Sequence, residues 1–250
     1  MRGTVGVGTL TAMAVEHLPA DLVRDLGDRV AMARRQASEQ LPESRQHADD
    51  PTYWQEVFEA NAAAMLAALP HVRLAEGHKV RYRFYGRRGN DFLIRPIVAR
   101  AGTDLSAILR LLDWHPPPDS ARATDGGAGR DVELLYRHFA FEPSAAGAFE
   151  YWVAMQELWA SQRWIHSTII ADAEQFAHLT ATPDWEVERP VERVEPAVIR
   201  DSDAIQIAVL VHCPLERHMV TFHRVRITPE QSVEFAESII VAHGPRGYLT

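Results

Sequence analysis

Three stretches decide the fold. They are Ile205-Gln206-Ile207-Ala208-Val209-Leu210-Val211-His212, His218-Met219-Val220-Thr221-Phe222-His223-Arg224-Val225-Arg226-Ile227, and Val233-Glu234-Phe235-Ala236-Glu237-Ser238-Ile239-Ile240-Val241. Apolar and polar residues alternate with period two, and β-branched residues are common, which is the pattern of half-buried strands. Pro229 marks the second turn, because it presets φ and cannot donate to a ladder. Centring that turn in Thr228–Ser232 sets Ile227 opposite Val233, Val225 opposite Phe235, His223 opposite Glu237 and Thr221 opposite Ile239. The first turn, through Cys213-Pro214-Leu215-Glu216-Arg217, pairs His212 with His218 and sets Ile207 beside His223. The expectation is a C-terminal three-stranded antiparallel meander.

Upstream, helix and strand signals alternate without the regular order of a doubly wound sheet. Leu22, Val23, Leu26, Val30 and Ala33 predict a helix over Leu18–Leu41. Asp50-Pro51 reads as a cap and first-turn proline opening a second helix over Thr52–Leu69. Val80, Tyr82 and Phe84 alternate with Arg81, Arg83 and Tyr85, predicting a hairpin over Lys79–Ala99 that turns at Arg87-Arg88-Gly89-Asn90. A short helix to Leu112 follows, capped by Thr103 or Asp104, and then a Gly-rich loop at Asp119–Arg130. Asp131–Phe139 reads equally as helix or strand. Pro143-Ser144 opens a long helix to about Leu179, with the stripe Trp152, Met155, Trp159, Gln162, His166, Ile169, Ala173 and Phe176. Pro190 and Pro196 make 183–199 an edge strand or crossing loop. Residues from Gly244 onward read as a terminal loop. The sum is an α+β protein: a largely antiparallel sheet with helices packed on one side. Residues 1–118 and 131–250 form two halves about a flexible 119–130, or one continuous domain.

Composition bounds the function. The net charge is −8, which argues against nucleic acid as a general partner. Arg73–Arg100 runs against this balance, with eight basic residues against Glu76 and Asp91. Cys213 is the single cysteine, so neither an internal disulfide nor a four-cysteine zinc site can form. The first eight residues lack the basic and apolar blocks of a signal peptide, and Gly3 to Gly8 has no strand before it to make a dinucleotide loop. No apolar run reaches a membrane span. The expectation is a soluble, cytoplasmic protein without a membrane partner, with self-association into a homodimer or other homo-oligomer as a further expectation.

The candidate site residues follow from that register. His223 and Glu237, opposite each other in an apolar face, would form an acid–base pair, since a carboxylate poises an imidazole; the alternative is a satisfied structural pair. Arg81, Arg83 and Arg95 would anchor a carboxylate or phosphate through their guanidinium forks. Trp159 and His166 would line an aromatic pocket on the long helix. No physiological metal site is expected: His212 and His218 could hold a metal opportunistically but lack an evident third ligand, and His166 lacks a helical partner. Cys213 lacks a nucleophile signature and reads as structural. The cofactor is left open. Two functions remain. One is a small-molecule enzyme, biosynthetic in character, acting on an anionic or aromatic metabolite by His/Glu chemistry. The other is a non-catalytic binding or assembly protein whose arginine hairpin meets an acidic partner.

Overall fold

Helix Ala145–Trp159 sits at the centre of the molecule, and its sequence explains why. Ala145, Ala148, Phe149, Tyr151, Trp152, Val153, Ala154, Met155 and Leu158 are all buried, so the helix is apolar around most of its circumference. A helix of that kind has no solvent face and must be enclosed. The computed structural model describes residues 14–39, 54–58, 62–86, 92–102, 137–159, 167–201, 204–215 and 217–247. In chain order these hold β1 Ala14–His17, α1 Ala20–Glu39, β2 Trp54–Phe58, α2 Ala62–Ala67, β3 Val72–Leu74, β4 His78–Gly86, β5 Phe92–Arg100, β6 Phe139–Phe141, α3 Ala145–Trp159, β7 Thr168–Ile170, α4 Ala173–Thr180, β8 Glu186–Val187, β9 Ala197–Arg200, β10 Ile205–Cys213, β11 Arg217–Ile227 and β12 Val233–Arg246.

The fold is α+β with antiparallel pairing throughout. The main sheet has seven strands in the order β1-β9-β10-β11-β12-β8. β9 and β7 share the outer side of β10: β9 pairs with Ile205–Ala208, and β7 with Leu210–His212. β2-β4-β5 form a second sheet and β3-β6 a third. The main core joins α1, α2 and α3 to one face of the meander, through Ile207, Val209, Val211, Val225 and Ile227. It draws residues from both sides of 103–136. Leu210, Val220, Val241 and Ala242 belong to the other face, where they pack with Ile170, Val194, Phe176, Leu179, Trp185, Val191 and Phe222. A strand buried on both faces explains why Ile205–Cys213 is apolar almost without interruption.

The C-terminal meander is present, with an offset first hairpin and three register shifts between β11 and β12. Ile227 faces Val233 and Val225 faces Phe235, as the turn at Pro229 implies. Thr228 closes that turn, donating N–H to the Ser232 carbonyl at 2.9 Å, and Gln231 takes a φ of 67°. Beyond it β12 carries a bulge, which leaves Ala236 as the extra residue and puts Glu237 opposite Arg224. Thr221 accordingly faces Ile240, not Ile239. The first hairpin is offset by two residues: His212 faces Val220, and Ile207 faces Val225. A two-residue offset keeps every side chain on its expected face.

The long helix to Leu179 is a correction. α3 is described to Trp159, and beyond 160–166, which lie outside the described residues, Thr168–Ile170 is a strand and Ala173–Thr180 a separate helix. Thr168-Ile169-Ile170 is β-branched and completes the edge of β10. Asp172 then starts α4 afresh, accepting a hydrogen bond from Gln175 N at 2.8 Å. The start of α3 is as expected: Ser144 Oγ accepts from Gly147 N at 3.0 Å. Gly147 has no room for a side chain, because a Cβ there would lie 2.3 Å from the Glu142 carbonyl oxygen.

The second helix begins later than its pattern implies, since Trp54–Phe58 pairs with β4, and among the described residues the helix spans Ala62–Ala67. The basic hairpin is β4-β5, with Arg83 opposite Arg95 and Arg81 opposite Ile97. In 183–199 the short β8 does lie at a sheet edge, whereas Ala197–Arg200 is interior to the sheet. β12 runs on to Arg246, through residues expected to form a loop. Gly3–Gly8, the Asp50-Pro51 cap, the 87–90 turn, the helix to Leu112, the 119–130 loop and His166 lie outside the described residues.

Candidate functional site

The His223–Glu237 pair does not form as drawn. The bulge at Ala236 shifts β12 by one residue, so Glu237 shares a face with Arg224 and pairs with it at 3.6 Å. His223 faces Ser238 instead, with Nδ1 2.8 Å from the Ser238 hydroxyl, and its ring meets Phe235 edge-on at 5.4 Å. Successive strand residues point to opposite sides, so the carboxylate is on the wrong face to orient the imidazole. Burial without a carboxylate pushes the His223 imidazole down to about 4. It is therefore neutral over the physiological range.

A different His/Glu pair is built around α3. The Glu150 side chain is 1 % exposed, and three groups meet it. Arg29 of α1 approaches Oε1 at 3.3 Å, the backbone N–H of His71 donates to Oε2 at 2.9 Å, and His71 Nδ1 lies 3.0 Å from Oε1. A buried carboxylate needs such partners, because an isolated charge is far too costly. Arg29 also donates to the Ala68 carbonyl and to Asp25, tying α1 to the end of α2. The His71 ring is about one-third exposed, and its Nε2 lies 3.9 Å from Glu142. The arrangement clasps α1, the α2–β3 connection and α3 together. Neither groove described below includes His71. A second clasp repeats the logic, with Arg34 of α1 holding the Glu157 carboxylate of α3 through both of its oxygens. Neither carboxylate stands out in the sequence, since nothing local marks an acid within an apolar helix as paired.

The outer face of the meander holds a groove of about 310 Å³. Its floor is Phe222, Ile239 and Val241, and its wall is the crossing segment Arg189-Pro190-Val191-Glu192-Arg193. That segment is fixed because the Val241 carbonyl accepts from Glu188 N at 2.9 Å and from Arg189 N at 3.3 Å. Pro190 has no N–H to give and so keeps the segment off the ladder there. Arg193 is engaged, its guanidinium 2.6 Å from His17 Nε2. A second, wider hollow lies between Arg24 and Glu174, Gln175, Ala177 and His178 of α4. Arg24 is paired there with Asp172.

At the far end of the same outer face, His212 Nε2 lies 3.0 Å from His218 Nδ1. The Trp185 ring sits against both imidazoles, with centroids 5.9 and 6.0 Å away. Gly244 makes the room, because a Cβ there would lie 2.6 Å from the indole and 2.8 Å from His218 Cβ. The expected contact of the two histidines thus survives the change of register, as a diagonal rather than a direct pair. Burial first, and His218 second, pushes His212 down to about 4. A third histidine contact, His138 against His78 at 4.8 Å, has His138 lowered by burial and then by His78.

Among the described residues no three His, Cys, Asp or Glu side chains form a group able to hold a metal. Among the described residues no helix is long and apolar enough to cross a membrane. Arg81, Arg83 and Arg95 lie on β4 and β5, with Arg83 and Arg95 directly opposite. Trp159 closes α3. Their strands and helix are separate from the strands that carry His223, Glu237 and the groove. No protein-family model, curated protein or solved structure matches the chain. The fold and site together define an α+β protein with a mixed apolar and basic groove on its main sheet.

Proposed function

We propose that this is a small-molecule-binding protein whose ligand combines an apolar or aromatic body with an anionic group. The observation that supports it is the groove on the outer face of the meander. Phe222, Ile239 and Val241 offer an apolar floor, and exposed Arg189 stands on the rim. A concave site lined mostly by apolar groups, with a few placed charges, is the usual form of a ligand pocket, and about 310 Å³ falls at the small end of such sites. Arginine suits the anion, since its planar fork matches a carboxylate or sulfonate. A cytoplasmic setting belongs to the same proposal.

Acid–base catalysis by a His/Glu pair is the second reading. The pair considered for it is His71 with Glu150, whose Nδ1 and Oε1 lie 3.0 Å apart without the geometry of a hydrogen bond. The assembly reading, in which the β4-β5 arginines meet an acidic partner, is separated from groove binding by the same experiment.

Anilinonaphthalene sulfonate is an aromatic anion whose fluorescence reports binding. It is expected to bind the native protein saturably. Arg189→Glu should weaken it by about 1 kcal/mol, roughly fivefold, the scale of one exposed ion pair. Arg81→Ala with Arg83→Ala should leave it unchanged. If the double variant alone abolishes binding, the anion site is on the hairpin; if the native protein shows no saturable binding, the small-molecule reading fails.

A further inference from the structure

The paired histidines at the end of the meander line neither groove. We propose that His212 Nε2 and His218 Nδ1 form a two-imidazole site for a divalent transition metal of tetragonal preference, nickel or copper in class. Imidazole nitrogens bind such ions at about 2.0–2.1 Å, so two of them at about 90–100° around one ion lie ~2.8–3.2 Å apart. The observed separation is 3.0 Å. Each ring centroid then lies about 3.2 Å from the ion, which puts the two centroids ~4.5–5.0 Å apart. The observed centroid distance is 5.0 Å, with the ring planes 35° apart. Tetrahedral zinc would spread the nitrogens to about 3.4 Å, whereas near-right angles with nitrogen and oxygen donors are the habit of copper and nickel.

The surroundings favour a held pair over two surface side chains. Both histidines are on strands: His212 faces Val220 and Thr168 in the ladder, and His218 lies between Arg217 and Met219, where the pairing with β12 shifts register. Trp185 packs against both rings, and Gly244 admits it. Without metal the two nitrogens share one hydrogen bond, so one carries the proton and the other accepts it. Coordination needs both lone pairs. The proton on the bridging nitrogen must therefore move to the far nitrogen of its own ring, leaving His212 protonated at Nδ1 and His218 at Nε2. Both rings stay neutral, and no electron is transferred. Among the described residues no third side chain completes a metal-binding group, so the remaining positions go to solvent. Binding should thus be weaker than at a structural zinc site with four protein ligands.

Titration of the full chain with nickel chloride, followed by calorimetry and tryptophan fluorescence, tests the assignment. One site is expected, with quenching of Trp185 and selective broadening of the His212 and His218 ring resonances in NMR spectra. His218→Gln and His212→Gln should each weaken the site at least about tenfold, since loss of even an outer-shell partner costs that much. Trp185→Phe should remove the quenching and keep the binding. Unchanged nickel affinity in both glutamine variants, or broadening at other histidines only, overturns the proposal. So does the absence of binding in the parent protein, a result that does not depend on any variant folding.

Discussion

Glu150→Ala is expected to cost about 3–5 kcal/mol of stability, the scale for breaking one side of a buried charge pair. The carboxylate is 1 % exposed and is met by Arg29, the His71 imidazole and the His71 backbone N–H. Removing it leaves the part-buried His71 N–H without its acceptor and Arg29 without one of its anions. Arg29 keeps the Ala68 carbonyl and Asp25, which places the loss toward the lower end of the range. Urea denaturation, compared at equal m-value, measures it. A loss below about 1 kcal/mol would mean that the clasp around α3 contributes little beyond its hydrogen bonds. The same comparison separates the two readings of His71. If Glu150 and His71 are a structural clasp, His71→Gln also lowers stability. If they are an acid–base pair, His71→Gln abolishes turnover at nearly unchanged stability.

His223 is expected to make the protein acid-sensitive. Its imidazole is lowered to about 4 from 6.5 in the folded protein by burial. Between those two values the unfolded chain binds the proton and the folded protein does not. Stability therefore rises with pH across that window. The contribution of neutral His223 is fully present above pH 6.5 and is lost as pH falls toward 4. At 1.36 kcal/mol per pKa unit the full shift would be about 3 kcal/mol, and partial exposure of the ring reduces it to roughly 1–2 kcal/mol. His223→Gln has no titrating ring there, so its stability should fall less between about pH 7 and about pH 4.5. His212 is lowered by burial as well, and it leaves a residual slope in the variant. Equal slopes in the parent and the variant would show that His223 titrates as an exposed histidine.

The contrast between those residues shows how far local pattern carries. The turn at Pro229 places Val225 against Phe235 correctly, because proline restricts φ and alternation sets the faces. One inserted residue, Ala236, then reverses which of Glu237 and Ser238 reaches His223. A bulge leaves little trace in an alternating run, since apolar residues occupy both faces of β12 at that point. The first hairpin is more forgiving: a two-residue offset preserves the faces, so His212 and His218 still meet. The stripe from Trp152 to Phe176 has helical spacing, yet Thr168–Ile170 is a strand. There the unpaired edge of β10 supplies hydrogen bonds that outweigh local periodicity.

By itself the sequence determined what depends on neighbours in the chain. Proline-marked turns, period-two alternation, the Ser144 start of α3 and the apolar face of α1 made an α+β protein with a C-terminal antiparallel meander legible. Tertiary structure decided what depends on residues far apart. Glu150 meets Arg29 and His71 across separations of 121 and 79 residues, and Arg34 meets Glu157 across 123. The groove exists only because the 189–193 segment crosses the outer face of β11 and β12. Such pairings are set by the whole core, since a buried charge takes whichever partner the packing brings within reach, and no local spacing encodes that choice.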